Sequence, residues 1–274
     1  MNKNFIEKKG FREWYKDLDS TYNLMGSGDI DSHFSTVLLS DWFGCKMDLF
    51  NSFSTIYHRE NIDIDSVRPH TLVGVDVDLT KNKCFGNHVT YLQNPDVISL
   101  NKEIPYGCQE YFSKFAGSTL VTILSIYDYD LNKCTKEQLE VLISVDTAFK
   151  QFYYNKNTNE LFRYYYGEVL EYPEFIEVVE QYPIEYFYNI IKEYKLHESI
   201  RVNENGYLET KIELDRLGEL FNMDLSLSTE RFIPFYNMQT VGKNLYDFKR
   251  TVDKDKIFSS ACTSNNYVMA SVKF

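Results

Sequence analysis

The sequence predicts an α/β fold, with a parallel sheet in residues 1–152 and a smaller mixed α+β region in residues 153–274. Three observations lead there. The first third alternates β-prone hydrophobic runs with a helical segment and a connection, the order of a parallel sheet. A hydrophobic content of 43% supplies a core for one large domain or two modest ones, and 12 Gly and 6 Pro are too few for a disordered or repetitive chain. Acidic residues recur just past the expected strand ends, where ligands bind in such sheets.

The elements follow in order. Residues 5–19 read as a short amphipathic helix, with Phe11, Trp14, Tyr15 and Leu18 at helical spacing. Residues 21–26 read as a strand. Gly26 and Gly28 allow a tight bend after it. Asp31 or Ser32 is placed to cap a helix over 33–43, and Gly44 ends that helix. Residues 45–50 form a second strand, 53–60 a helical turn and 62–70 a loop. A third strand starts at Thr71. Leu72, Val73, Val75, Val77 and Leu79 are β-prone, and a period of two puts Asp76 and Asp78 on one face. A turn at 81–83 and a second short run bring Asn87 and His88 nearby.

Residues 104–108 form a turn and 111–127 a helix. Thr135 opens another helix through a capping-box pattern with Gln138. That helix carries Asp146 in its last turns, where the macrodipole opposes an acid unless it is solvated or a cation is near. The aromatic-rich stretch 152–166 reads as two short strands around 155–160. A stacking platform for bases is conceivable there, with Arg163 beside it, but a packed core or partner interface fits the acidic surroundings better. Residues 173–195 read as a helix broken at Pro183. Asn205-Gly206 is a hairpin turn, 215–221 a short helix, and 259–274 one or two strands.

A net charge of −11 and a pI near 5.0 argue against non-specific binding to duplex nucleic acid, which needs a basic surface. A local basic pocket for a small phosphate-bearing ligand stays compatible with that charge. No run of 18 apolar residues and no signal-peptide pattern is present, so no membrane association is expected. Five scattered cysteines without a CxxC pair read as reduced thiols of a cytoplasmic protein. The Asn-, Lys- and Tyr-rich texture points to an AT-rich genome, bacterial or phage.

The chemistry-bearing residues are Asp29 and Asp31 after the first strand, Asp76 and Asp78 near the end of the third, Asn87, His88 and Asp146. Hard divalent metals prefer such oxygen-rich sites, with an occasional imidazole. The bland alternative for 71–92 is a surface hairpin whose acidic face is solvated.

In their order, these pieces resemble the DHH phosphoesterase superfamily over residues 20–152. Its first motif, an aspartate pair separated by one residue at a strand-to-helix turn, is matched by Asp29-Ile30-Asp31. Its second, an aspartate at a strand end, is matched by Asp76, with Asp78 as the other candidate. Its Asp-His-His triplet falls on Gly86-Asn87-His88. Its fourth, an aspartate behind a segment of small residues, is matched by Asp146 after Ala116-Gly117-Ser118-Thr119. The chain departs from the family at Met25, where a histidine is usual, and at Gly86 and Asn87.

The resemblance implies one ion, Mn²⁺ or Mg²⁺, held by Asp31, Asp76 and Asp146 with the Asn87 carbonyl. Asp29 or Asp78 would orient the water or hold a second ion, and His88 would face the substrate phosphate. The family's C-terminal domain supplies basic groups, for which Lys243 in Gly242-Lys243-Asn244, Arg231 and Arg250 are the candidates here. The implied function is metal-dependent hydrolysis of a nucleotide or short oligonucleotide phosphodiester. The alternative is a non-catalytic DHH-like protein that binds a nucleotide or a protein partner. An interface to a second copy or another protein would then draw on the aromatic second half.

Overall fold

Nine strands form one curled mixed sheet in the computed structural model, which describes residues 1–107 and 109–274. The chain begins with helix α1 (Lys3–Lys9), then strand β1 (Asn23–Gly26), helix α2 (Ile30–Phe43) and strand β2 (Lys46–Asn51). Strands β3 (Thr55–Arg59), β4 (Leu72–Val75), β5 (Lys83–Phe85) and β6 (Val97–Ile98) follow. Seven helices come next: α3 (Thr119–Ile126), α4 (Lys136–Ser144), α5 (Lys150–Tyr153), α6 (Lys156–Arg163), α7 (Glu174–Glu180), α8 (Ile184–Glu193) and, after the β7–β8 hairpin (Arg201–Val202, Leu208–Glu209), α9 (Leu214–Phe221). The chain closes with β9 (Phe232–Asn244), α10 (Leu245–Thr251), β10 (Ile257–Ser264) and β11 (Tyr267–Lys273).

The strand order is β10-β11-β9-β3-β2-β1-β4-β5-β6. The stretch β2-β1-β4-β5-β6 is parallel throughout, which is the expected parallel core. Strands β3, β9, β11 and β10 extend it in antiparallel fashion. After β1 the chain moves to one side for β2 and β3, then returns to the other side of β1 for β4. The β1/β4 crevice is therefore a topological switch point, the place where open α/β sheets bind ligands at their carboxyl ends.

The far edge does not stay open. The outer edge of β10 turns back onto the segment after β4: Thr80 N–H donates to Phe258 O (2.9 Å), Ser260 N–H to Asp78 O (3.2 Å) and Cys262 N–H to Val89 O (2.8 Å). Strands from both sides of residue 152 thus share one sheet. One continuous core likewise joins Leu24, Val73 and Leu120 to Phe162, Tyr166, Phe175 and Phe187.

Several expected elements differ. The 5–19 helix breaks at Gly10, which takes the left-handed conformation (φ 57°), and resumes as a 3₁₀ turn at Glu13–Asp17. Residues 53–60 hold strand β3, because a β-branched and aromatic run there fits between β2 and β9. The third strand ends at Val75. All four residues of β4 are buried, as expected of a strand covered on both faces, so the apparent alternation carries no facing information. The 111–127 helix is a 3₁₀ turn (Gln109–Ser113) followed by α3, which Ser118 caps. Residues 152–166 are helical. Asn155 and Thr158 build a reciprocal capping box for α6, and the chain continues as a π-helical turn, Tyr164–Val169, whose Tyr165, Tyr166 and Val169 face the core. The long strand β9, which contains Gly242-Lys243-Asn244, has no counterpart in the sequence reading.

The turn over 104–108 and the thiol expectation both reach Cys108, which lies outside the described residues; Cys45, Cys84, Cys134 and Cys262 are free thiols. No helix among the described residues is long and apolar enough to cross a membrane.

Candidate functional site

The carboxyl ends of β1, β4 and β5 gather the acids. Asp29 follows β1 and caps α2, its Oδ1 accepting the Ser32 N–H at 2.9 Å. Neither Asp31 nor Ser32 is that cap. Ser32 instead joins the two strands of the crevice: its hydroxyl donates to Val75 O (2.7 Å) and accepts from Ser27 N–H (2.6 Å).

Asp31, in the first turn of α2, is 3% exposed. Its two oxygens accept N–H groups from Thr119 and Leu120, both at 2.7 Å. These are first-turn donors of α3, so the Asp31 carboxyl is seated at that helix N-terminus. The apolar run of α3 buries all eight of its residues, and Ser118 caps it through the Val121 N–H (3.1 Å). The core thereby fixes where these donors point.

Asp76 takes the left-handed conformation (φ 55°) directly after β4, and its Oδ1 accepts the Thr119 hydroxyl at 2.7 Å. Asp146 lies past the end of α4 rather than inside it, also left-handed (φ 52°), with Thr147 beside it at φ 56°. Non-glycine residues in that region are strained by about 1 kcal/mol or more each, and such strain clusters at working sites. Asp76 and Asp78 do not share a strand face. They diverge: Asp76 meets Thr119, while Asp78 Oδ2 meets His88 Nδ1 at 2.8 Å.

Asn87 links the set. Its Nδ2 donates to Asp146 Oδ2 (2.9 Å) and Gly117 O (3.2 Å) and faces Asp31 Oδ2 at 3.5 Å. All three neighbours are acceptors, so the nitrogen, not the carbonyl oxygen, is the end presented to the acids. The resemblance had assigned the oxygen.

Asp31 and Asp76 form a buried floor, while Asp29 and Asp146 reach water at the rim. Protein on most sides and the neighbouring Asp76 push the Asp29 carboxyl up to about 7. Burial, then Asp76, Asp146 and Asp29, raise Asp31 well above the carboxylate range. Burial also pushes Asp76 and Asp146 up to about 6, although His88 pulls both the other way. For His88, burial opposes the charge. The Asp78 hydrogen bond and the fields of Asp78, Asp76 and Asp146 outweigh it and push the imidazole up to about 9.

Three buried polar atoms around this cluster have no hydrogen-bond partner among the described residues: Asp78 Oδ1, Asn87 Oδ1 and the Tyr166 hydroxyl. Asp78 Oδ1 sits directly against Gly86, where a Cβ would come within 2.1 Å of it. The Tyr166 hydroxyl lies behind Gly117, whose Cβ would come within 2.6 Å. Asp146 and Asp31 add to burial in opposing ionisation of that tyrosine. Orphaned polar atoms of this kind call for a ligand, water or ion.

Two cavities meet at His88. One, about 330 Å³, runs from Asp29, Asp76 and Asp78 to the inner faces of β10 and β11. The other, about 230 Å³, lies beyond Asn87 and Asp146 and contains Lys114 and Lys150. The basic residues expected from sequence are elsewhere. Arg231 pairs with Glu60 (2.8 Å), Lys243 donates to the Thr251 hydroxyl (2.8 Å), and Arg250 donates to the Tyr246 hydroxyl (2.7 Å). Lys243 borders a separate cavity of about 630 Å³ that holds none of the clustered acids.

Sequence reasoning missed Thr119, Lys114 and Lys150. A capping serine directly before a β-branched apolar run was the available signal for Thr119. The lysines carried none, because only the fold brings them to the acids.

The donor set among the described residues is of the kind hard divalent ions prefer, but it is not gathered tightly enough to grip one. Oxygens dominate, two of the carboxylates reach water, and desolvation with mutual repulsion raises all four acids even though His88 pulls three of them the other way. Among the described residues, no three His, Cys, Asp or Glu side chains are close enough together to hold an ion directly. An ion here would keep part of its hydration shell, as Mg²⁺ commonly does. No protein-family model, curated protein or solved structure matches this chain.

Proposed function

We propose that this chain is a phosphoester hydrolase of the DHH kind, assisted by Mn²⁺ or Mg²⁺ and acting on a nucleotide or short oligonucleotide. The observation that carries this reading is the convergence of Asp29, Asp31, Asp76 and Asp146, from three separate segments, around Asn87, Thr119 and His88 at the switch point of a parallel sheet. A second supports it. The Asp78 carboxylate fills the space before Gly86 and binds His88, so an acid stands where the family triplet has its first side chain.

Asp76 and Asp146 would hold the ion, with water completing its shell; when bound, it would polarise the phosphoryl oxygen and acidify water. Asp31 is positioned by α3 and closes the floor of the cluster. Asp29, titrating at about 7, is suited to take the proton of the attacking water. His88, held as imidazolium by Asp78, faces the phosphate and gives its proton to the leaving oxygen as the P–O bond breaks.

One observation favours the rival reading, a non-catalytic binding protein: the Asn87 amide already braces Asp31 and Asp146. Calorimetric titration with Mn²⁺ decides between them. The hydrolase reading expects binding by the wild type, loss in Asp76→Asn/Asp146→Asn, and Mn²⁺-dependent release of product from a nucleotide diester. Absence of binding by the wild type at millimolar Mn²⁺ would retire it in favour of the binding protein.

A further inference from the structure

The two cavities that meet at His88 differ in chemistry. The one against β10 and β11 has three carboxylates in its wall, Asp29, Asp76 and Asp78, and no lysine or arginine; its one cation is His88, which the other cavity shares. The rest of its wall is mainly carbon, from Phe53, Val77, Ala261, Met269 and Ala270. An anionic group entering it would meet like charge across a low-dielectric wall, whereas a carbon framework would be welcome. The cavity on the other side has two ammonium groups, Lys114 and Lys150, against one carboxylate, Asp146.

Both lysines are free to act. Neither belongs to an ion pair among the described residues. Lys114 Nζ is steadied by the Tyr111 hydroxyl (3.2 Å) and lies 4.9 Å from that ring's centre, while Lys150 Nζ lies 5.6 Å from the ring of Tyr188. Each stem is thus directed by an aromatic neighbour, and no carboxylate among the described residues lies within ion-pair distance of either ammonium. In an acidic protein, this is a local basic pocket beside the acid cluster.

We propose that Lys114 and Lys150 form the phosphate-receiving subsite, and that the ligand is an organic phosphate whose carbon framework occupies the cavity against β10 and β11. The ester linkage then crosses at His88, between the acid floor and the two lysines. This assignment rests on the hydrolase reading for its chemistry but stands as a binding site without it. It transfers phosphate recognition from Arg231 and Lys243 to residues of the first sheet's own surroundings.

Inorganic phosphate is the probe, titrated into the full chain by calorimetry. The wild type is expected to bind, and Lys114→Gln/Lys150→Gln to bind about tenfold more weakly or worse. Lys114→Arg/Lys150→Arg keeps the charges and is expected to stay within about threefold of wild type. A second measurement needs no variant. Phosphate should protect Lys114 and Lys150, but not Lys243, from acylation of the wild type read by peptide mass spectrometry. Undiminished phosphate affinity in the glutamine variant, unprotected lysines, or no phosphate binding at tens of millimolar overturns the assignment. Mn²⁺ binding is scored separately. Retained Mn²⁺ binding with lysine-independent phosphate sinks only this subsite, and lysine-dependent phosphate binding without Mn²⁺ binding sinks only the hydrolase.

Discussion

Asn87 shows how one side chain can organise a charged centre. Its NH₂ faces three acceptors, Asp146, Asp31 and Gly117 O, and is the neutral brace between two carboxyl groups. Asn87→Asp replaces the donor by a fifth carboxyl group at nearly the same volume. Without metal, it should destabilise the fold by roughly 3 kcal/mol, read by urea unfolding, and Mn²⁺ should recover much of that loss. The clustered acids also fix the pH response. Asp29, Asp76 and Asp146 are held above their ordinary 3.8, at about 7, 6 and 6, so the folded state grips these protons more tightly than the unfolded state. Their contribution is complete below 3.8 and disappears as pH rises through those values. His88, raised from 6.5 to about 9, contributes fully below 6.5 and is lost through 9. Metal-free protein should therefore lose thermal stability steadily from about pH 4 to 9. Mn²⁺ should flatten the part between 4 and 7, since the ion takes the place of the protons. The residue types of this centre were legible in the sequence as acids past strand ends. Which end of Asn87 faces them was not, because that depends on neighbours brought from 31, 117 and 146.

At the scale of elements, α3 couples the centre to the core. It is buried on every side, so its axis is fixed by packing, and its N-terminus delivers Thr119 and Leu120 to Asp31. Ser118→Ala removes the cap from a fully buried helix end and should cost about 1 kcal/mol or slightly more, read as a lower unfolding midpoint. The same change should weaken Mn²⁺ binding even though Ser118 has no contact with the acids. Elements with local punctuation were legible. Gly44 ends α2, the Thr135/Gln138 box starts α4, and Pro183 separates α7 from α8. The stretch 152–166 was misread because its aromatics satisfy strand propensity, while the Asn155/Thr158 cap, a weaker signal, sets the helical phase. Strand β9 was unreadable for a different reason. Its mostly exposed residues carry no alternation, and it is held by backbone pairing to β3 and β11 on either side.

For the molecule as a whole, the parallel sheet core was legible and its closure was not. Nothing local marks Asp78–Thr80 and Phe258–Ser260 as partners. Because aromatic residues of α6 to α8 share a core with β1, β4 and α3, residues 1–152 expressed alone should not fold cooperatively. Proton NMR of that fragment should show collapsed shift dispersion, and a sharp, dispersed spectrum would contradict this. The closing contact has a further consequence, in time. Residue 78 finds its partner about 180 residues later, so at about 5–20 residues per second a ribosome needs roughly 10–40 s to deliver it. Through that interval, the nascent chain carries its acids beside a cleft with one wall missing. The outer flank of the segment after β4 stays unpaired and available to a chaperone. A closed cleft and protection from misassembly would then arrive together, with the β10–β11 hairpin.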